Sequence, residues 1–211
     1  MPNDCVWLAA SVSRLNRGLS ISCDLLENDK DTFLDVLVRF ERGQHVNKEE
    51  LPRTFWAKGA KASRKKKLPH LFSSGGFLAV SQQMKETLEP FNLDASWFAP
   101  VDLLHADRKR PYPGQFFYFF VPERKLAFAP DASTGYEPKL FDFQTHTGTI
   151  ELGVKDNEIA VDPSAGEGVD VWYDDSLLWS FFFRDRVYQA INEKGLTTGL
   201  EIVRCPILTG H

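Results

Sequence analysis

A strand–helix–strand pattern occurs twice in this chain, and it limits the possible folds more than any other feature of the sequence. The first copy runs through residues 77–88 to an apolar stretch at 97–101, and the second runs through 181–191 to a similar stretch at 199–207. Two short copies do not make a solenoid, because a stacked array needs at least about three repeats to bury its faces. The repeat therefore predicts a compact α+β protein built from a duplicated element.

The two predicted helices carry apolar residues at matching positions. Met84 and Leu88 lie four residues apart in the first helix, as do Val187 and Ile191 in the second. Residues at this spacing share one helix face, so each helix is predicted to bury the same kind of face. We expect both helices to pack on one sheet, with Ser81 as the N-cap of the first.

The length and composition of the chain allow a large core. Of its 211 residues, 43% are hydrophobic, which is sufficient for an independently folding protein. We predict an α+β fold with a mixed, mostly antiparallel sheet and few helices. A single domain is expected over 1–211, made of N-terminal strands and a basic loop (1–68), the first helix–strand unit with aromatic strands (69–130), and a loop-rich insert with the second helix–strand unit (131–211).

Stretches outside the repeat give further predictions of secondary structure. The aromatic run at 116–121 predicts a strand that is buried on both faces, with 126–128 as its companion strand. The segment 32–40 fits either a strand or a short helix capped by Asp31, and we favour the strand. The lysine-rich segment 51–69 shows little periodicity and is predicted to be a surface loop.

Charge is distributed unevenly along the chain, whose formal net charge is −4. Seven basic residues and no acidic residue lie within 53–67, whereas 150–211 holds eleven acids against five bases. The basic segment is either a solvated loop or a contact for an acidic partner surface. No helix-turn-helix, KH or RNP-like signature accompanies it, so we do not expect nucleic-acid binding.

The sequence contains no motif that predicts an enzyme, a metal site or a cofactor. The histidines are scattered without HExxH spacing, and no GxSxG, P-loop or GxGxxG motif is present. Cys5, Cys23 and Cys205 lie far apart without a CxxC pair, so they are predicted to be reduced thiols. We therefore predict a non-enzymatic protein with no catalytic residues, no metal and no cofactor.

An unrecognised enzyme is the alternative from a different functional class. His105 could act as a general base that Asp102 orients, with Asp175 as a further carboxylate. No activated nucleophile accompanies this set. Loop residues that follow a strand are the better explanation of His105 and Asp102.

No segment predicts a membrane span or a secretory signal. Apolar runs fall short of the roughly 18 to 20 residues that a spanning helix requires. The apolar stretch 6–12 is preceded by Asp4 and lacks a basic region before it. These features predict a cytoplasmic protein.

The stretches that carry the repeat also resemble a known protein family. They are 69–81 leading into the first helix, the strand 97–101, and 177–185 leading into 190–202, and the similarity extends over about half of the chain. They resemble a bacterial immunity-protein family, whose one-domain members are encoded beside polymorphic toxins of contact-dependent or type VI secretion systems. The resemblance lies in helix caps, glycines and core positions, and such families have no catalytic residues to carry over.

The resemblance implies an α+β binding protein that neutralises a cognate antibacterial toxin by stoichiometric occlusion in the cytoplasm of the producing cell. An adaptor module of a secretion system is a further alternative. If the partner is a basic toxin, an acidic surface would accelerate association. Acidic and aromatic residues alternate near the end of the chain, which makes this stretch the predicted partner-binding surface: Asp170, Trp172, Asp174 and Asp175. A strand followed by a solvated turn is the alternative interpretation.

Overall fold

The computed structural model describes residues 5–10, 20–58, 68–138, 148–178 and 180–209. The fold is α+β, as predicted, with mixed sheets in which most strand pairs are antiparallel. Among the described residues, no helix is both long enough and apolar enough to cross a membrane.

The secondary structure elements are numbered here in chain order. The strands are β1 (Cys5–Ala9), β2 (Ser20–Ser22), β3 (Thr54–Lys58), β4 (Leu71–Ser74), β5 (Phe77–Ser81), β6 (Trp97–Leu104), β7 (Phe116–Phe120), β8 (Arg124–Lys125), β9 (Tyr136–Pro138), β10 (Gly148–Ile150), β11 (Val171–Asp174), β12 (Leu177–Leu178), β13 (Phe181–Arg184) and β14 (Ile202–Pro206). The helices are α1 (Asp24–Asn28), α2 (Lys30–Glu41), α3 (Gln82–Leu88) and α4 (Asp185–Glu193).

The chain divides into two compact units, neither of which is continuous in sequence. The terminal unit comprises Met1–Ser11, Glu89–Asp94 and Glu123–His211, and the central unit comprises Val12–Leu88 and Ala95–Pro122. These boundaries differ from the three parts that the sequence suggested. The expectation of a single domain stays a prediction, because compact units need not be independent domains.

The central unit is built on a sheet of order β2-β3-β6-β7-β5-β4, in which only the β3–β6 pair is parallel among the pairs described. Helix α2 covers one face, where Phe40 meets the rings of Phe77 and Phe120 edge-on. Helix α3 covers the other face, where Lys85 lies over Phe98 and Phe117. Successive residues of a strand point to opposite faces, which places the two helices on opposite sides of this sheet.

The terminal unit contains a sheet of order β14-β1-β13-β11-β8 and a smaller sheet of order β12-β10-β9. One face of the larger sheet carries a buried apolar cluster that includes Leu8, Trp172 and Phe182. Helix α4 packs against β1 and β13, and its Tyr188 stacks on Trp7 with ring centroids 3.6 Å apart. The N-terminal strand β1 is thus interior to this sheet, between β13 and β14.

The prediction that both repeat helices pack on one sheet is wrong. Helix α3 packs against β5 and β7, and α4 packs against β13 and β1, which belong to different sheets. Each copy nevertheless has the same topology, because the strand before the helix and the strand after it flank one shared antiparallel strand. That shared strand is β7 in the central unit and β1 in the terminal unit.

The two copies also agree in the register of their strand pairs. Each rung consists of the strand before the helix, the shared strand and the strand after the helix. The matched rungs are Ala79–Tyr118–Ala99 with Phe182–Leu8–Val203, Val80–Phe117–Pro100 with Phe183–Trp7–Arg204, and Ser81–Phe116–Val101 with Arg184–Val6–Cys205. The predicted duplication is therefore present in the backbone pairing, although its copies lie on separate sheets.

The agreement extends to the residues that begin each helix. The backbone N–H of Ser81 donates to the carbonyl of His70 at 2.9 Å, and the N–H of Arg184 donates to the carbonyl of Asp170 at the same distance. The side chains of each pair interact as well: His70 Nδ1 lies 2.8 Å from Ser81 Oγ, and Arg184 Nε lies 3.9 Å from Asp170 Oδ1. Asp170 therefore occupies in the terminal unit the position that His70 occupies in the central unit.

Several local predictions are confirmed. Strand β7 covers most of 116–121 and is hydrogen-bonded on both sides, by β5 and β6. The hydroxyl of Ser81 accepts from the N–H of Met84 at 3.2 Å, as expected of an N-cap. Helix α4 ends just before Gly195, whose φ of +67° lies in the left-handed region that favours glycine.

Other local predictions are wrong. The segment 32–40 belongs to helix α2, capped by Asp29, because its apolar residues at helical spacing are buried against the sheet while Val38 stays exposed. Part of 51–69 forms strand β3 instead of a loop, and the predicted strand 126–128 does not pair with β7. Its neighbour β8 pairs with β11 in the terminal unit instead. Most of the basic segment, residues 59–67, lies outside the described residues.

We expect truncation of either repeat helix on its buried face to destabilise the protein. Leu88 and Ile191 are both fully buried, so Leu88→Ala and Ile191→Ala should each lower the free energy of unfolding by about 2 to 5 kcal/mol. Urea denaturation followed by circular dichroism would measure the change. The matched control is Gln83→Ala on the exposed side of α3, for which a change beyond about 0.5 kcal/mol would contradict this assignment of faces.

Candidate functional site

The predicted partner-binding residues lie on β11 and in the turn that follows it. Asp170 and Trp172 are each 0% exposed and Asp174 is 2% exposed, so these three side chains do not form a surface for a partner. This corrects the sequence-based expectation. The Asp175 side chain, at 48% exposure, is the member of the set that can meet a partner.

Asp170 is buried because its charge is matched by nearby donors. Its carboxylate accepts from the Arg186 guanidinium at 2.7 and 2.6 Å, and from the backbone N–H of Asn92 at 2.7 Å. Arg184 lies 3.9 Å from the same carboxylate. A buried carboxylate held in this way is stable only with its partners in place, which makes Asp170 a structural ion-pair centre.

Asp174 and Trp172 are also used inside the terminal unit. The Asp174 carboxylate accepts from the backbone N–H groups of Ala127 and Phe128 at 2.7 and 2.9 Å, and thereby fixes the segment that follows β8. Trp172 stacks on Phe182 with an interplanar angle of 6°. The alternation of acidic and aromatic residues in this stretch is therefore explained by burial of hydrogen-bonded carboxylates among aromatic rings, and no binding partner is required to explain it.

Lys125 also contacts the Trp172 ring, with Nζ 4.0 Å from the ring centroid. It donates to the backbone carbonyls of Ser164 and Glu167 at 3.2 and 2.6 Å. Burial lowers the pKa of Lys125 to about 8. The carbonyl acceptors and the ring favour its charged form, so this lysine anchors the 164–167 segment to the sheet.

Asp175 belongs to a small half-buried group at the end of strand β11. Its carboxylate lies 3.4 Å from Arg124 Nε, and the Arg124 guanidinium lies 4.7 Å from the ring centroid of half-buried Tyr173. Arginine and tyrosine are common anchors in protein interfaces. Contact of Asp175 with a partner stays a prediction.

The central unit contains an open groove that the sequence did not single out. Its volume is about 370 Å³, and it lies along β6 and the start of β7. Polar side chains of Thr54, Asp102 and Gln115 line it together with the apolar faces of Pro100 and Phe117. Asp102 is exposed, and among the residues that the structure describes no cation pairs with its carboxylate.

The backbone explains why the groove is open. Strands β6 and β7 pair only up to Val101 and Phe116, and the loop between them returns to β6 through a bridge from Pro111 to Leu104. Gly114, with φ of +106°, turns the chain back toward β7 in a conformation that other residues rarely adopt. The glycine and prolines of this loop were the available sequence signal, because they mark a break in strand pairing.

The alternative catalytic set is not assembled as a base and its orienting carboxylate. The His105 ring stacks on Tyr112 with centroids 4.0 Å apart. Within the described ranges no hydrogen bond joins His105 to Asp102, whose side chain lines the groove. Asp175 belongs to the terminal unit and lies beside Arg124.

We expect the cysteines to be unreactive in the folded protein. Cys5, Cys23 and Cys205 are free and buried, and burial raises the pKa of each thiol, so the reactive thiolate is scarce at neutral pH. Dithionitrobenzoate should label them slowly in buffer and rapidly in guanidinium chloride. Fast labelling of Cys205 in the native protein would contradict its buried position in β14.

Within the described part of the chain, no group of three or more histidine, cysteine, aspartate or glutamate side chains is placed to hold a metal ion. The sequence-based expectation of a protein without metal or cofactor stays a prediction. A scan against models of protein families and a search of curated proteins both find no match to this chain.

Proposed function

We propose that this protein is an immunity protein that binds a cognate antibacterial toxin in the cytoplasm and neutralises it by stoichiometric occlusion. The α+β fold agrees with the resemblance found in the sequence. The residues that carry that resemblance form the two repeat copies, which supply a scaffold and leave binding to the surfaces around it.

The observation that carries the proposal is the groove of the central unit. It combines an exposed carboxylate, Asp102, with apolar walls at Pro100 and Phe117, and its volume of about 370 Å³ is large enough for a side-chain anchor. Protein interfaces of about 800 Å² per partner depend on a few such anchors for most of their affinity. The net charge of −4 favours association with a basic partner.

The test begins with affinity capture from the native cell, followed by mass spectrometry of the retained protein. The captured protein must then arrest growth when it is expressed alone in a heterologous bacterium. Co-expression of this chain must restore growth. A captured protein that is harmless by itself, or whose toxicity persists during co-expression, would contradict the proposed function.

The matched control for this experiment is a pair of charge-reversal variants. Asp102→Lys changes the exposed carboxylate in the groove, whereas Asp94→Lys changes another exposed acid, in the segment that belongs to the terminal unit. We expect Asp102→Lys to lose protection while Asp94→Lys retains it, because only Asp102 lies in the proposed binding site. Equal protection by both variants would move the toxin-binding surface away from the groove.

A further inference from the structure

The matched registers of the two units allow the groove to be compared with its counterpart in the terminal unit. Residues opposite one another in antiparallel strands point to the same face, so the equivalent positions can be read from the rungs. The residue after Val101 on β6 and the residue before Phe116 of β7 complete the set, because they follow the last matched rung in each chain direction. The equivalent positions, central unit first, are Phe117 with Trp7, Pro100 with Arg204, Gln115 with Cys5, and Asp102 with Pro206.

In the terminal unit the position equivalent to Pro100 is held by an arginine, Arg204. The Arg204 side chain lies beside Trp7 on the neighbouring strand, and its Nη1 donates to Asn157 Oδ1 at 3.0 Å. Burial raises the pKa of the Cys5 thiol, and the nearby Arg204 charge opposes that rise. On this sheet face the terminal unit therefore pairs an arginine with an aromatic residue of the neighbouring strand.

In the central unit no arginine stands at the equivalent position, and Lys85 of α3 lies on this face with Nζ 5.2 Å from the Phe117 ring centroid. The residues around Pro100 include groups that would bind an arginine. Pro100 replaces the long side chain and leaves the groove open. Asp102 supplies a carboxylate where the terminal unit has a proline, and Gln115 supplies an amide oxygen where it has a thiol. Pro100 and the part of Phe117 that lines the groove offer apolar surface for the methylene stem of an arginine. The planar head of an arginine matches a carboxylate.

We propose that the groove of the central unit binds an arginine side chain supplied by a protein partner. The partner is the toxin if the proposed function is correct, but the recognition of arginine can be tested without it. The guanidinium would pair with Asp102 and Gln115, and its stem would lie on Pro100 and Phe117.

The probe is N-acetyl-arginine methylamide, titrated into isotopically labelled protein and followed by the backbone amide signals in heteronuclear NMR spectra. We expect saturable shifts of the Asp102 and Gln115 amides in the millimolar range. N-acetyl-citrulline methylamide has nearly the same shape without the charge and is the matched control ligand. Equal shifts with citrulline, or equal binding of the corresponding lysine derivative, would overturn the assignment of an arginine site.

Two variants keep the test specific. Asp102→Asn keeps the shape of the side chain and should weaken binding of the probe at least about tenfold, because the charged partner is lost. Pro100→Arg restores the residue of the terminal unit and should abolish binding by filling the groove. Unchanged binding in Asp102→Asn overturns the proposal. If the protein does not bind the arginine probe, the arginine site is wrong but the growth-protection test of the immunity function still stands. If the protein does not protect against the captured toxin, the immunity function is wrong but the titration still tests the arginine site.

Discussion

Replacing Leu8 by proline is expected to unfold the terminal unit. Leu8 is 0% exposed and lies in β1, where β13 and β14 pair on either side. Proline removes a backbone donor from an interior strand and the side-chain packing of leucine as well, so the loss should be on the order of 4 kcal/mol or more. A small protein has only about 5 to 15 kcal/mol of stability. Urea denaturation with native-state hydrogen exchange would measure the loss.

The variant Leu8→Ala separates the two contributions, because it keeps the backbone donor and removes only side-chain packing. It should cost about 2 to 5 kcal/mol, less than the proline variant. If the free energy of unfolding of Leu8→Pro lies within about 1 kcal/mol of that of the natural protein, β1 is not an interior strand of the terminal unit.

Replacing Asp170 by alanine should also destabilise the terminal unit. The change leaves the Arg186 guanidinium and the Asn92 N–H without the carboxylate to which they now donate. Breaking an ion pair by removing one partner costs about 3 to 5 kcal/mol when the remaining charge is buried. The Arg186 side chain is 56% exposed and is solvated by water, so the expected loss of stability lies at or below the lower end of that range.

The control for Asp170→Ala is Asp175→Ala, five residues along the same strand and turn. Its ion pair with Arg124 is half-exposed and should be worth about 1 kcal/mol or less. Thermal unfolding of the two variants side by side would test the assignment. A similar loss for both would show that Asp170 is not the centre of a buried network.

The sequence was sufficient to predict the repeated element because its signals are local. Apolar residues at helical spacing, the Ser81 cap and the glycine after α4 all act within a few residues of the elements that they define. The shared strands β7 and β1 could not be assigned to the copies from these signals. Strand β1 is about 170 residues away from β13, and no local pattern indicates which strand a segment will join.

The acidic stretch shows why the candidate site was misplaced. Alternation of acids with aromatic residues normally indicates an exposed face. The buried carboxylate of Asp170 is instead stabilised by a hydrogen bond from the N–H of Asn92, 78 residues earlier in the chain. Burial of a charge depends on such distant donors, which a single sequence does not reveal. The groove escaped prediction for a related reason. Pro100 and Asp102 become informative only when the strand register sets them against Arg204 and Pro206.

Titration of the captured toxin with the purified chain tests the central claim most directly. Calorimetry should give an equimolar complex, and toxin activity should fall to zero at one equivalent, because occlusion consumes one molecule of inhibitor for each toxin. Asp102→Lys should weaken binding about 100-fold with its free energy of unfolding unchanged, as expected for loss of a central charged anchor. Neutralisation by a small fraction of an equivalent would indicate turnover, and unchanged affinity of Asp102→Lys would exclude the groove; either result would contradict stoichiometric occlusion at this site.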